Sequence, residues 1–67
     1  MMYDRIRLLR ENRNYTQKAM AEKLHVSQAT YSRYESGVLD ISIQGLILLA
    51  DLYGVSVDYI LGRTELH

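Results

Sequence analysis

Gln28, Ala29, Ser32 and Arg33 fall at positions i, i+1, i+4 and i+5, which on a helix share one face. Their types matter as much as their spacing. Gln and Arg can make paired hydrogen bonds to the edges of adenine and guanine, and the Ala methyl can touch the methyl of thymine. Thr30 adds a hydroxyl in the same stretch. Such a face suits reading of duplex DNA through the major groove, provided the other side of the helix is held rigidly. Other chemistries find little support. The chain has no Cys, so disulfides and thiolate zinc sites are excluded, and His25 and His67 are too few and too widely spaced for a self-contained metal site. No nucleophile–base pair and no Gly-rich phosphate loop is visible. The residues therefore point to a binding protein without metal or cofactor and not to an enzyme.

A reading face needs elements to present it, and the pattern predicts an all-α chain of five short helices forming a single domain over residues 1–67. The expected helices are Tyr3–Glu11, Gln17–Leu24, Gln28–Glu35, Ile43–Tyr53 and Val57–Leu61. Thr16, Ser27, Ser42 and Ser56 stand as N-caps, because a hydroxyl there can accept from a backbone N–H of the first turn. Gly37, Gly54 and Gly62 follow apolar-periodic runs, as C-terminal glycines do. No period-2 run persists, so strands are not expected. Gln17–Leu24 and Gln28–Glu35 are joined by three residues only, which makes a tight corner over about residues 17–36. Ala21 supplies the small residue at the crossing, and Met20, Leu24, Val26, Tyr31 and Tyr34 supply apolar packing. Two capped helices at such a corner have the geometry of a helix-turn-helix.

At this point the stretch LRENRNYTQKAMAEKLHVSQATYSRYESG, residues 9–37, resembles the helix-turn-helix of the phage repressor/Cro-like (XRE-type) regulators. DLYGVSVDYILGRT, residues 51–64, is similar to the tail of stand-alone bacterial members. The resemblance implies roles position by position. Gln28, Ala29 and Arg33 match base-reading positions, and Thr30 and Ser32 match base or phosphate positions. Gln17 matches a phosphate clamp, with Lys18 and Arg13 beside it, while Tyr34 and Ser36 sit where the chain would leave the groove and can donate to phosphate. Arg10 and Glu35 match a structural ion pair tying the first helix to the end of the third. Taken together, the resemblance implies a small cytoplasmic repressor of bacterial or phage type that binds double-stranded DNA as a homodimer on a near-palindromic operator.

The sequence also departs from the family pattern. His25 stands where members often have Gly, a turn position that commonly takes positive φ. Tyr31 replaces a usual Ile or Val. The loop Val38–Ile41 is apolar and acidic where relatives often carry basic groups, and Leu48 occupies a position that is often Lys. Exposed apolar clusters mark interfaces, so Leu39, Ile41, Leu48, Tyr59 and Ile60 are expected to form a two-fold dimer contact. The same features leave open a second reading: a protein-interaction module on this fold, such as an antitoxin or regulator subunit, with weak DNA binding. No small-molecule ligand is indicated.

Charge and composition bound these readings. Eight basic and eight acidic residues give a formal net charge of zero, which by itself argues against a phosphate-rich partner. The distribution is uneven. Residues 1–37 hold seven basic and four acidic groups, a net +3, whereas residues 38–67 hold one basic and four acidic groups, a net −3. With 67 residues and 48% apolar content the chain is globular but small, burying only about 60% of its unfolded surface. No apolar run approaches the roughly 20 residues that span a membrane, and the N-terminal stretch lacks the apolar core of a signal peptide.

Overall fold

The structure is a computed structural model and describes residues 4–66. It consists of α1 (Asp4–Asn12), α2 (Gln17–Leu24), α3 (Gln28–Ser36), α4 (Ile43–Tyr53) and α5 (Val57–Ile60), with no strand among the described residues. The expected all-α, five-helix architecture is thus observed, with ends displaced by no more than a residue where they can be compared. Tyr3 and His67 lie outside the described residues.

Local chemistry explains where the helices begin. The hydroxyls of Thr16, Ser27, Ser42 and Ser56 accept from the backbone N–H groups of Ala19, Thr30, Gly45 and Tyr59, each at 3.0 or 3.1 Å. Each cap satisfies a donor that the helix itself leaves orphaned, worth about 1 kcal/mol. Left-handed residues end α2 and α3: His25 at φ 59° and Gly37 at φ 79°.

The core draws on all five helices. Ile6 of α1, Met20 of α2, Tyr31 of α3, Leu49 of α4 and Ile60 of α5 are completely buried. The Tyr53 hydroxyl donates to the Met20 Sδ at 3.5 Å, so even the polar tip of that buried ring is matched. Gly45 is set by a close approach: a Cβ there would lie 2.8 Å from Ile41 Cγ2. Arg5 ties the two ends of the fold together. Its Nη1 donates to the backbone oxygens of Tyr59 and Thr64, its Nη2 meets Glu65 at 2.8 Å, and its guanidinium lies over the Tyr59 ring.

Burial corrects the expected dimer surface. Ile41, Tyr59 and Ile60 are 7%, 9% and 0% exposed, and therefore belong to the interior of a single chain. The inward face of α5 and the approach to α4 use them to close the core. Leu39 and Leu48 do remain exposed, and Val38, Ile43 and Ile47 join them at the surface. The cause lies in α4, which is apolar nearly all round. Leu46, Leu49, Ala50 and Tyr53, spaced i, i+3, i+4, i+7, are buried, with Leu52 partly buried against the same core.

Candidate nucleic-acid interface

α3 is divided sharply between two faces. Tyr31 and Glu35, one turn apart, are fully buried, and Tyr34 is half-buried with its ring edge-on to Tyr31. On the other side Gln28, Ala29, Ser32, Arg33 and Ser36 are exposed, with Thr30 half-buried. The helix is thus anchored by its inner face and leaves its polar face to solvent. Its start is fixed twice over: Ser27 Oγ accepts from the Thr30 N–H and donates to Thr30 Oγ1 at 2.9 Å. The corner before it is closed by the Val26 N–H donating to the Ala21 carbonyl at 3.0 Å.

The inner anchor is a network centred on the Glu35 carboxylate. Arg10 meets it in a bidentate pair, Nε to Oε2 at 2.7 Å and Nη2 to Oε1 at 3.3 Å. Arg10 Nη1 also donates to the Tyr15 backbone oxygen at 2.9 Å. Gln17 Nε2 donates to Glu35 Oε1 at 3.2 Å, and Arg7 Nε approaches the same oxygen at 3.6 Å. One carboxylate therefore joins α1, α2 and α3, and Arg10 carries the link on to the α1–α2 loop. Burial alone would raise its pKa, but the hydrogen bonds from Arg10 foremost, with Gln17 adding, outweigh burial and hold it below the ordinary glutamate value. Reciprocally, the hydrogen bond to Glu35 is the main reason that the Arg10 pKa is raised. The Tyr31 hydroxyl is buried without a hydrogen bond of regular geometry. Burial first, and Glu35 second, push its pKa far above the ordinary tyrosine range, so it stays protonated. Burial likewise pushes Tyr53 up to about 12.

The other proposed contact residues stand in different situations. Lys18 is exposed on the first turn of α2. Gln17 is partly buried, with one amide N–H engaged by Glu35. The Arg13 guanidinium is occupied at the end of α4, 3.4 Å from the Tyr53 carbonyl oxygen and over the Tyr53 ring. The Ser36 hydroxyl donates back to the Arg33 carbonyl at 3.1 Å. Arg33, in contrast, forms no ion pair among the described residues. The charge split therefore overstates the free positive surface. Arg5, Arg10 and Arg13 are all engaged within the fold. Arg5 and Arg7 enter the sequence pattern only through the count of basic residues. For Arg7 the signal was its i, i+3 spacing from Arg10, whereas Arg5 has partners more than 50 residues away and left no local signal.

An apolar hollow of about 230 Å³ opens between the α2–α3 corner and the first turns of α4, with Leu24, Val26, Tyr34, Ile41 and Leu48 among its walls. Among the described residues there is no group of His, Cys, Asp or Glu that could hold a metal ion, and no helix is long and apolar enough to cross a membrane.

The fold and sequence agree with known proteins. Residues 6–60 match the family model described as "Helix-turn-helix". The chain is 40% identical to the uncharacterized HTH-type transcriptional regulator YobD of Bacillus subtilis (strain 168), over 97% of this chain and 58% of that protein. It is 41% identical to the HTH-type transcriptional regulator ImmR of the same organism, over 91% of this chain and 48% of that one. It thus spans only about half the length of these relatives. Among solved structures, the P22 c2 repressor in complex with synthetic operator 9T superposes with a TM-score of 0.83 at 26% identity, covering 96% of this chain and 97% of that one. A matched model over most of the chain, relatives of this identity and a shared five-helix fold lead to one conclusion: the chain belongs to the helix-turn-helix family of transcriptional regulators, with the fold of the phage repressors.

Proposed function

We propose that this chain binds duplex DNA in a sequence-dependent manner, laying α3 in the major groove, and acts as a repressor. The observation that carries the reading is the division of α3. Tyr31 and Glu35 anchor it at 0% and 1% exposure, while Gln28, Ala29, Ser32 and Arg33 stand free on the opposite face. A rigid helix presenting Gln and Arg is suited to bidentate contacts with base edges. The kinship with a repressor crystallised on a synthetic operator supports the same reading. Gln28, Ala29 and Arg33 are the proposed base readers, with Thr30 and Ser32 at the groove edge. Gln17 and Lys18 are the best placed of the phosphate contacts. Arg13, Tyr34 and Ser36 would have to leave or share present contacts to serve.

Each chain carries one such helix and measures 30 Å in its longest direction. Reading two successive major grooves, about 34 Å apart, takes two chains on a near-palindromic site. The proposed contact between them is the exposed apolar surface of Leu39 and Leu48, joined by Ile43 and Ile47. Selection from a random duplex pool tests the function. Enrichment of paired half-sites about 10 base pairs apart is expected; a pool that stays random, with affinity indifferent to salt, would overturn it.

The exposed apolar surface also favours a second reading, a protein-interaction module with weak DNA binding. Salt separates the two, because phosphate contacts release counterions and make DNA affinity fall steeply as salt rises. In either case the chain acts by binding and not by catalysis, in the cytoplasm of a bacterial host.

A further inference from the structure

The apolar hollow of about 230 Å³ is built from stretches of chain that are separate in sequence. Leu24 and Val26 come from the α2–α3 corner, Tyr34 from α3, Ile41 from the approach to α4, and Leu48 from the second turn of α4. No local pattern in the sequence signals such a meeting. The seam it occupies is thinly packed: α2 lies closely on α3 and α4 on α5, whereas α4 packs only sparsely on α2 and α3. Gly45 leaves room between the walls. A Cβ at this position would lie 2.8 Å from Ile41 Cγ2 and 3.3 Å from Ser42 Oγ, and both of those residues belong to the lining. Glycine inside a helix is unfavourable relative to alanine, and here it keeps the space free of a side chain.

Size, charge and polarity of the lining select the occupant. A closed apolar cavity of about 150 Å³ holds benzene, so a hollow of about 230 Å³ suits one ring with a short substituent or two small fused rings. It is too small for a helix or a peptide strand. No Lys, Arg, Asp or Glu is among its described walls, so an ionised group entering it would lose hydration without gaining a counter-charge. His25, Ser42 and Gln44, all exposed, complete the lining and carry donors and acceptors for a single polar group. The hollow is also recessed. Leu24, Val26 and Tyr34 are half-buried and Ile41 is buried, whereas Val38 and Ile43, each 76% exposed, project from the surface and are not among its walls. A second copy of the chain would meet the projecting residues first; a small molecule fits the recess.

We propose that this hollow is a binding site for a neutral, largely apolar molecule of one ring or two fused rings, with one hydrogen-bonding group directed toward His25 and Gln44. Such an occupant touches Tyr34 of α3, whose ring lies edge-on to the buried Tyr31. It also touches Leu48, part of the proposed contact between chains. Binding in the hollow does not require DNA, so this site and the DNA-binding reading stand or fall separately.

The test titrates the full, isotopically labelled chain with indole and para-cresol, and with benzoate and benzylammonium as charged molecules of similar size. Backbone amide shifts are followed by NMR. Indole is expected to saturate with a Kd on the order of 0.1–1 mM, within the range open to a ligand of about ten non-hydrogen atoms. The shifts should centre on residues 24–26, 34 and 41–48. The charged probes should bind at least about tenfold more weakly, because the hollow offers no counter-charge; this comparison needs no variant. Leu48→Trp sets a bulkier side chain at the mouth, on a residue already exposed. It should weaken indole binding at least about tenfold by filling the space, with the urea midpoint near that of the wild type. Leu8→Ala removes an exposed apolar side chain on α1 and should leave indole affinity unchanged. Shifts that grow without saturating, equal affinity for the charged probes, or wild-type affinity in a folded Leu48→Trp overturns the site. So does indole binding that vanishes as protein concentration rises into the range where sedimentation shows a dimer, because a second copy then fills the hollow.

Discussion

The Gln17 amide donates to the Glu35 carboxylate at 3.2 Å, joining the first turn of α2 to the last turn of α3. The residue proposed to grip phosphate is thus oriented by the same acid that anchors the reading helix. Gln17→Ala should accordingly do two things. It removes a hydrogen bond to a charged group, lowering stability by about 1.5–3 kcal/mol, and it weakens binding to specific and random duplexes by a similar factor. Urea unfolding and anisotropy check both. Loss of affinity for the selected duplex alone would point to base reading instead.

Acid should loosen the fold through Glu35. Its folded pKa lies below the ordinary glutamate value of 4.5, so its ion pair stabilises the native state fully above that value. The contribution is lost as the pH falls through the lower, folded pKa. The melting midpoint is expected to hold steady near neutrality and to fall below about pH 4.5. Glu35→Gln should lower stability by roughly 3–5 kcal/mol at pH 7, because it leaves Arg10 buried without its counter-charge. The gap between wild type and variant should then narrow in acid. A gap that is constant from pH 7 to pH 3 would contradict a charged Glu35.

His25 ends α2 at φ 59°, ψ 40°, a region that costs a residue with a Cβ roughly 1–2 kcal/mol. Glycine removes that strain but adds unfolded-state freedom worth about 0.4–1 kcal/mol. His25→Gly should therefore stabilise by about 0.5–1 kcal/mol in urea unfolding, with the α2–α3 corner intact. A destabilised variant would mean that the imidazole contributes packing larger than the strain.

The exposed apolar surface should show itself in the oligomeric state. Sedimentation equilibrium at micromolar concentration is expected to give a dimer for the wild type and a monomer for Leu48→Glu, since a carboxylate cannot be desolvated in such a contact without large cost. A strict monomer in both removes the proposed interface. The Leu48→Glu monomer should also lose most of its affinity for a two-half-site duplex.

Much of the architecture was legible because its signals are local. A hydroxyl before each of four helices is read from residue type alone, and Thr16, Ser27, Ser42 and Ser56 all cap as their positions suggest. The exposed face of α3 follows from the spacing of the two residues it buries, Tyr31 and Glu35. What stayed hidden depends on distance in sequence. Arg5 reaches Tyr59, Thr64 and Glu65, and no window of neighbouring residues signals that. The division of apolar residues between core and surface was also concealed, since α4 has apolar side chains on nearly every face. Ile41, Tyr59 and Ile60 are expected at a dimer contact and are core, while Ile43 and Ile47, on the same apolar helix as Leu46 and Leu49, are exposed. The net +3 of residues 1–37 does not reveal that three of its cations, Arg5, Arg10 and Arg13, are engaged within the fold.

The central claim is that the outer face of α3 reads bases. It is tested most directly by the affinity of wild type, Gln28→Ala and Arg33→Ala for the selected duplex and for its single-base variants. Each substitution is expected to lose about 1–3 kcal/mol on the selected duplex and to relax discrimination at one position in each half-site. Unchanged affinity together with unchanged base preference in both variants would contradict a groove-reading α3.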